Sequence, residues 1–296
     1  MISLDIELKQ KKENLAEFAS VTKQVLKYLD LVITDNQFKG DYKISTSKMA
    51  GNEKFLRPIN QNLFISNSDD FQKKFEILIN TLLKIKTKNP LISIDEKSNI
   101  DSVLYTIQQS IGAGFDLLVG SNSSRKHVGN RFEELVKCVF TEIGIANKRT
   151  VLQIPYETDE GTKIYKCEND LIISPYLKVR STNRTLDPDE IVISAKTTSK
   201  DRMGKIFIDK ILLEKFVGHP QKVMGIFLND VQRKENNSIS FTLVSGLFMV
   251  YNKFLTPLEG IYYLDPPPNA LKPPFNSYMK RFSDLITNDL FKILPS

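Results

Sequence analysis

Ile191-Val192-Ile193-Ser194-Ala195-Lys196-Thr197-Thr198-Ser199-Lys200-Asp201-Arg202 reads as a strand that runs into a charged turn. Three consecutive β-branched apolar residues favour the strand, and its polar end marks where it leaves the core. Side chains two apart on a strand point the same way, so Ser194 and Lys196 share one face. Upstream, Cys167-Glu168-Asn169-Asp170-Leu171-Ile172-Ile173 places an aspartate inside a second apolar strand, 26 positions before Lys196. Downstream, Met203–Val217 has helical spacing, with Ile206, Asp209, Leu213 and Phe216 along one side.

The flanking sequence predicts a helix over 128–143, strands near 151–155, 164–174, 223–228 and 239–244, and a last helix from about residue 277. Pro266-Pro267-Pro268 and Pro273-Pro274 mark loop. This order implies an α/β fold, a central mixed β-sheet flanked by helices. Helical spacing over 5–32, 70–85 and 101–111 predicts a mostly helical N-terminal region, 1–120, with loop and short strands at 35–67. Ser121-Asn122-Ser123-Ser124 reads as a polar break, after which a second domain spans 121–296.

Composition narrows the chemistry. The chain has 296 residues, 41% of them hydrophobic and 26% charged, which is ordinary globular composition. Its longest apolar runs, such as Leu247-Phe248-Met249-Val250-Tyr251, fall far short of the ~20 residues that span a bilayer. No apolar leader opens it, so the cytoplasm is the expected location and no membrane the expectation. Cys138 and Cys167 read as free thiols. A net charge of +6 permits phosphate polyanions as partners. With only His127 and His219 present, acid–base or metal chemistry must rest on carboxylates and lysine.

Asp170 and Lys196 at the ends of two strands suit phosphodiester hydrolysis. Carboxylates there hold one or two Mg²⁺ ions, and a lysine orients or deprotonates the attacking water. The usual pattern puts a second acid two residues before the lysine; this chain has Ser194.

Lys196-Thr197-Thr198-Ser199-Lys200-Asp201-Arg202 resembles the K-T-x-x-R-E-R segment of PD-(D/E)xK type II restriction endonucleases that read CC/GG-type sites. In that branch the strand carries Ser-x-Lys, and the missing acid stands on the following helix, 13 or 14 residues on. Asp209 lies 13 positions past Lys196, where the family usually has Glu. The resemblance covers roughly residues 127–217. It implies a restriction-endonuclease-like fold, Mg²⁺ on Asp170 and Asp209, catalysis by Asp170, Lys196, Asp209 and Glu133, and base readout by Lys200, Asp201 and Arg202. It also implies double-stranded DNA as partner, a homodimer on a short palindrome, and a cognate DNA methyltransferase. Lys200 and Asp201 stand where the family has Arg and Glu.

An aspartate in an apolar stripe is costly unless compensated, so Asp209 is a metal ligand or a capped or salt-bridged core acid. Glu214, one turn after Lys210, reads as a solvated ion pair. Gly129-Asn130-Arg131-Phe132-Glu133 looks like the G-x-x-F-E helix of the same superfamily, whose Glu supports metal binding. Glu133 is then a site residue and Glu134 a solvated charge. Glu168 alternates to the face of Asp170 and is either ligand or exposed charge.

Gly260-Ile261-Tyr262 and Asp265-Pro266-Pro267-Pro268 are lookalikes of other nuclease and methyltransferase motifs, read as turns, and no phosphate-cradling Gly-Lys loop occurs. Besides a restriction enzyme, two readings stay open: a repair or recombination nuclease of the same superfamily, and a catalytically inactive DNA-binding module, which Ser194 would suit.

Overall fold

The structure, a computed structural model, describes residues 3–49, 52–87, 91–119, 121–243 and 245–294. Helices α1 (Leu4–Lys9) and α2 (Leu15–Val32) are separate, where spacing alone implied one run over 5–32. Asn14 makes the break: its side chain accepts from Glu17 N at 3.0 Å and caps a new helix. Residues 35–67, expected to be mostly loop, contribute to a small antiparallel sheet. Its strands are β1 (Ile33–Lys39), β2 (Tyr42–Met49), β3 (Asn52–Phe55) and β4 (Ile59–Asn60), with β2 central. Gly40, at φ 57°, takes the left-handed conformation that the β1–β2 turn requires.

Helix α3 (Ser68–Lys86) is capped by Asn67, and α4 (Ile94–Leu118) by a Ser93–Glu96 capping box. Every residue of α4 from Ile100 to Phe115 is buried, so the first core is built around it. Helix α5 (Ser121–Glu142) begins inside the Ser/Asn run, which is therefore its first turn rather than a break.

The chain then forms β5 (Ala146–Thr158), β6 (Gly161–Ser174), β7 (Ile191–Thr198), α6 (Met203–Val217) and β8 (Lys222–Asn229). It leaves the sheet for a separate hairpin, β9 (Val231–Arg233) and β10 (Ile239–Phe241), and for α7 (Ser245–Phe254). It returns as β11 (Gly260–Tyr263) and β12 (Met279–Arg281). The strand expected over 239–244 is thus the short β10, outside the main sheet. The apolar run at 247–251 is helical, and the lookalike at Gly260–Tyr262 is a buried parallel strand rather than a turn. The last helical segment starts at Phe282, later than the expected 277, because Met279–Arg281 pairs with β11 first.

The six strands run β12-β11-β8-β7-β6-β5. β5, β6 and β7 are antiparallel, whereas β7, β8, β11 and β12 are parallel, with α6 as the β7–β8 crossover. Helices cover both faces, so the expected α/β fold with a mixed central sheet is what forms. Ile191, Ile193 and Ala195 join the first core with α4 and α5; Val192 joins the second with Ile206, Phe207 and Leu213 of α6. Ser194 therefore points to the α6 side, whereas Lys196, at the strand end, reaches Glu133 on α5.

Strand β6 carries a bulge: its partners on β5 step from Lys148 to Thr150 while it steps from Ile172 to Asn169. Cys167 and Ile172 consequently share the second core although an unbroken strand would place them on opposite faces. The simple alternation that put Glu168 on the face of Asp170 fails across this bulge.

The first core takes in α2, α3, α4 and α5 together with β6, β7, β8 and the closing helical segment. A polar tie adds to it. Tyr42 Oη and Asn60 Nδ2 both donate to Asp265, at 3.0 and 2.8 Å, and burial pushes that carboxyl up to about 6. Among the described residues no helix is long and apolar enough to cross a membrane. Cys138 and Cys167 are free and buried.

Candidate active site

Past Leu171, which pairs with Ile193, β6 and β7 diverge at Asp170 and Ser194. The bulge turns the Asp170 side chain into the gap, where Oδ2 accepts from Ala195 N at 3.0 Å. The same oxygen lies 2.5 Å from Lys196 Nζ. Glu133, from α5, approaches with Oε1 at 3.3 Å from Nζ. Three elements thus deliver Asp170, Lys196 and Glu133 to one point, with side chains 10%, 30% and 18% exposed.

Two carboxylates here share one ammonium. Burial and the adjacent Asp170 charge hold the Glu133 carboxyl above its usual range, and Lys196 opposes them. A pocket of this kind favours a further cation, because a second positive charge relieves the repulsion between the acids.

Asp209 stands at the edge of the apolar side of α6, one-third exposed, and its Oδ2 is 2.5 Å from Lys205 Nζ on its own helix. With Asp170 and Ser194 it lines a small pocket on the α6 side of the sheet. Asp170 and Asp209 therefore open onto one space, with the Ser194 hydroxyl between. Among the described residues no three acid, His or Cys side chains converge at metal-ligand spacing. The donors are all oxygens, the chemistry of Mg²⁺ rather than of Zn²⁺. That donor set, and the cation already held by Asp170 and Glu133, fit a divalent ion.

Neighbouring acids take other roles. Glu134 is not a solvated charge: it is 14% exposed, pairs with Arg131 at 2.7 Å and accepts from Lys12 N at 2.9 Å. The N-terminal segment covers the helix face that periodicity alone assigned to solvent. The Lys210–Glu214 pair forms at 2.6 Å, yet Lys210 is buried and also donates to Gln221 O, so the pair is structural rather than solvated. Glu168, 61% exposed, bonds Arg149 across the hairpin at 2.7 Å.

Lys200–Arg202 is a single 3₁₀ turn between β7 and α6. Lys200 and Arg202 are exposed; the side chain of Asp201 lies outside the described residues. The turn is anchored by Ser199, whose carbonyl accepts from Arg202 N and Met203 N at 2.9 and 2.8 Å. Ser199 N donates at 2.7 Å to Asp230, a fully buried carboxylate at the end of β8. Sequence reading missed Asp230, since nothing in its neighbourhood signals a partner 31 positions away.

Lys196 and Glu133 line the floor of a larger cleft. Its walls carry seven Lys or Arg side chains against two acids. Arg57 is spent on Asp116, and Lys196 on Asp170 and Glu133. Lys54, Arg125, Lys126, Arg202 and Arg233 remain without a carboxylate partner among the described residues. These residues come from three elements and a turn far apart in sequence, so only the fold reveals the cluster.

No protein-family model and no curated protein sequence matches the chain. Solved structures do. Type IIP restriction endonuclease Kpn2I superposes with a TM-score of 0.71 at 18% identity, over 95% of this chain and 91% of that one. Restriction endonuclease PspGI, in complex with substrate DNA, is similar at 17% identity and a TM-score of 0.44, over 76% of this chain and 92% of that one. The likeness to Kpn2I establishes the fold, that of a type II restriction endonuclease.

Proposed function

We propose that this chain is a sequence-specific double-stranded DNA endonuclease, a type II restriction enzyme that hydrolyses phosphodiester bonds with Mg²⁺ at a short palindromic, G/C-containing site. One observation carries the reading: Glu133 and Lys196 line a cleft with a large excess of cations, and Lys196 also pairs with Asp170. A polyanion drawn into that cleft brings a phosphate to the cluster. The fold shared with Kpn2I, a Type IIP restriction endonuclease, supports the same conclusion.

Asp170 and Asp209 would hold the metal, with Glu133 behind them. When bound, Mg²⁺ supplies Lewis-acid polarisation of the phosphate and acidifies an attacking water. Asp170, fixed by Ala195 N, keeps its carboxylate aimed into the site. Lys196 positions the water for in-line attack and offsets the charge that grows on the phosphoryl oxygens. Lys200, Asp201 and Arg202 would read the base edges: Arg or Lys donates to guanine O6 and N7, and an acid accepts from cytosine N4. A palindrome read on both strands requires two-fold symmetry, hence a homodimer. Region 1–120 would serve phosphate contacts or the dimer interface, with 121–296 as the nuclease domain. A cytoplasmic setting beside a cognate methyltransferase completes the reading.

The test is incubation of the purified protein with plasmid DNA and Mg²⁺, with an EDTA control. Discrete fragments that vanish with EDTA support the proposal. Nicking or end-degradation favours a repair nuclease instead, and sequence-specific retention without cutting favours an inactive binding module.

A further inference from the structure

The β9–β10 hairpin belongs to neither the main sheet nor the small one, yet it is fixed to both. At its base Asp230 ends β8, and Thr242 N donates to Asp230 O at 2.8 Å. At its far end Lys234 N donates to Ser238 O at 2.8 Å and closes the turn. Three contacts seat it on the small N-terminal sheet. Asn237 Nδ2 donates to Gln37 Oε1 at 2.9 Å, Phe241 packs edge-on against Tyr42 at 6.0 Å, and Arg233 lies over the Phe55 ring at 5.0 Å. The hairpin is therefore held as a rigid ledge along one wall of the cleft.

Arg233 is an exposed residue of that ledge and lines the cleft together with Lys54, Arg202 and Lys196. Among the described residues the only hydrogen bond of its side chain is from Nη1 to Asn237 Oδ1, at 3.3 Å. A guanidinium has five N–H donors in a flat fork, so most of its donor edge is free. The Phe55 face orients the fork, and among the described residues no carboxylate forms an ion pair with it. A forked cation that is pre-oriented and set on a cleft wall matches the oxygen pair of a backbone phosphate.

We infer that Arg233, oriented by Phe55, is a DNA-backbone contact, and that the β9–β10 hairpin grips the duplex from the wall formed with the small sheet. This rests on the nuclease reading for its partner, and it adds a contact outside the Lys200–Arg202 turn and the metal site. Phosphate contacts set register without reading sequence. Arg233 thus contributes to every duplex bound, and Phe55 acts through it as a positioning residue.

The experiment measures binding of a short random-sequence duplex without Mg²⁺, over a series of salt concentrations, by wild type, Arg233→Ala, Arg233→Lys and Phe55→Ala. Each phosphate contact contributes about 0.9 to the slope of log K against log salt. Arg233→Ala should lower that slope by about one and weaken all sequences alike. Arg233→Lys keeps the charge and should keep the slope. Phe55→Ala should keep the slope and weaken binding by only a few-fold, as the fork loses its orientation. Equal melting temperatures of wild type and the Arg233 variants exclude misfolding. Wild-type slope and affinity in Arg233→Ala would overturn the inference while leaving the nuclease reading intact. An unchanged slope with altered preference among sequences would overturn it too, by making Arg233 a base reader. Failure of wild type to bind the duplex at all would overturn both.

Discussion

Lys196 Nζ lies 2.5 Å from Asp170 Oδ2, so the end of β7 is tied to the bulge of β6 by the two residues that the chemistry needs. The same ammonium reaches Glu133 on α5. Lys196→Ala leaves two mostly buried carboxylates side by side, with their repulsion uncompensated. Removing a positioned acid–base or charge-stabilising group typically costs ~10²–10⁴-fold in rate. Plasmid cleavage by Lys196→Ala should fall by at least that much, while duplex binding without metal stays within a few-fold of wild type. Retained cutting would remove Lys196 from the mechanism.

Ser194 and Asp209 line one pocket beside Asp170, the first on the strand and the second on the helix that follows. If the helix supplies the acid that the strand lacks, Asp209→Asn should reduce cleavage by about 10²-fold or more, through weakened metal binding. Raising Mg²⁺ should recover part of the loss. The double variant Ser194→Asp/Asp209→Asn returns a carboxylate to the same pocket from the other side and should cut faster than Asp209→Asn alone. Full activity in Asp209→Asn would leave Asp209 as the partner of Lys205 and nothing more.

The parts of the fold that depend on local pattern were legible. β7 and α6 follow from β-branched residues and helical spacing, and Met203–Val217 has the bounds the sequence implied. Asp170 and Lys196 were legible as strand-end residues, but they come together because the β6 bulge turns Asp170 into the gap beside the end of β7. What escaped depends on contacts distant in sequence. Glu134 sits on a helix face that looks solvated until residue 12 packs over it. The β6 bulge inserts one residue and reverses the face of Glu168, and a pattern of period two cannot register that. β11 and β12 are too short to show alternation, and the small N-terminal sheet is hidden in polar sequence. The cationic cleft joins residues 54 to 233, which no local reading connects.

Asp230 holds the entrance of the Lys200–Arg202 turn through Ser199 N, at 2.7 Å and out of contact with water. Asp230→Ala strands a buried N–H, a loss of ~1–3 kcal/mol, and frees the turn to shift. Asp230→Asn keeps an acceptor oxygen at the same place. Cleavage rates at the cognate site and at sites with one base changed should therefore converge in Asp230→Ala and stay apart in Asp230→Asn. Melting temperatures separate this effect from general unfolding. Unaltered discrimination in a folded Asp230→Ala protein would show that the turn needs no such anchor.

Asp101 of α4 is 1% exposed and accepts from both Ser283 N and Ser283 Oγ, at 3.0 and 2.7 Å. Burial outweighs these bonds and pushes its carboxyl up to about 7. In the unfolded chain the same group titrates near 3.9. Between those values the folded protein holds a proton that the unfolded chain has released. Its contribution is fully present below about pH 4 and is lost as pH rises through about 7, on the order of 1 kcal/mol per pH unit. Asp265, at about 6, acts in the same direction. Asp101→Asn is uncharged at every pH and still offers an acceptor to Ser283 N. The melting temperature of Asp101→Asn relative to wild type should therefore rise between about pH 4 and about pH 7 and level off above it. A difference that stays constant across that range would mean that Asp101 is charged throughout it in the folded protein.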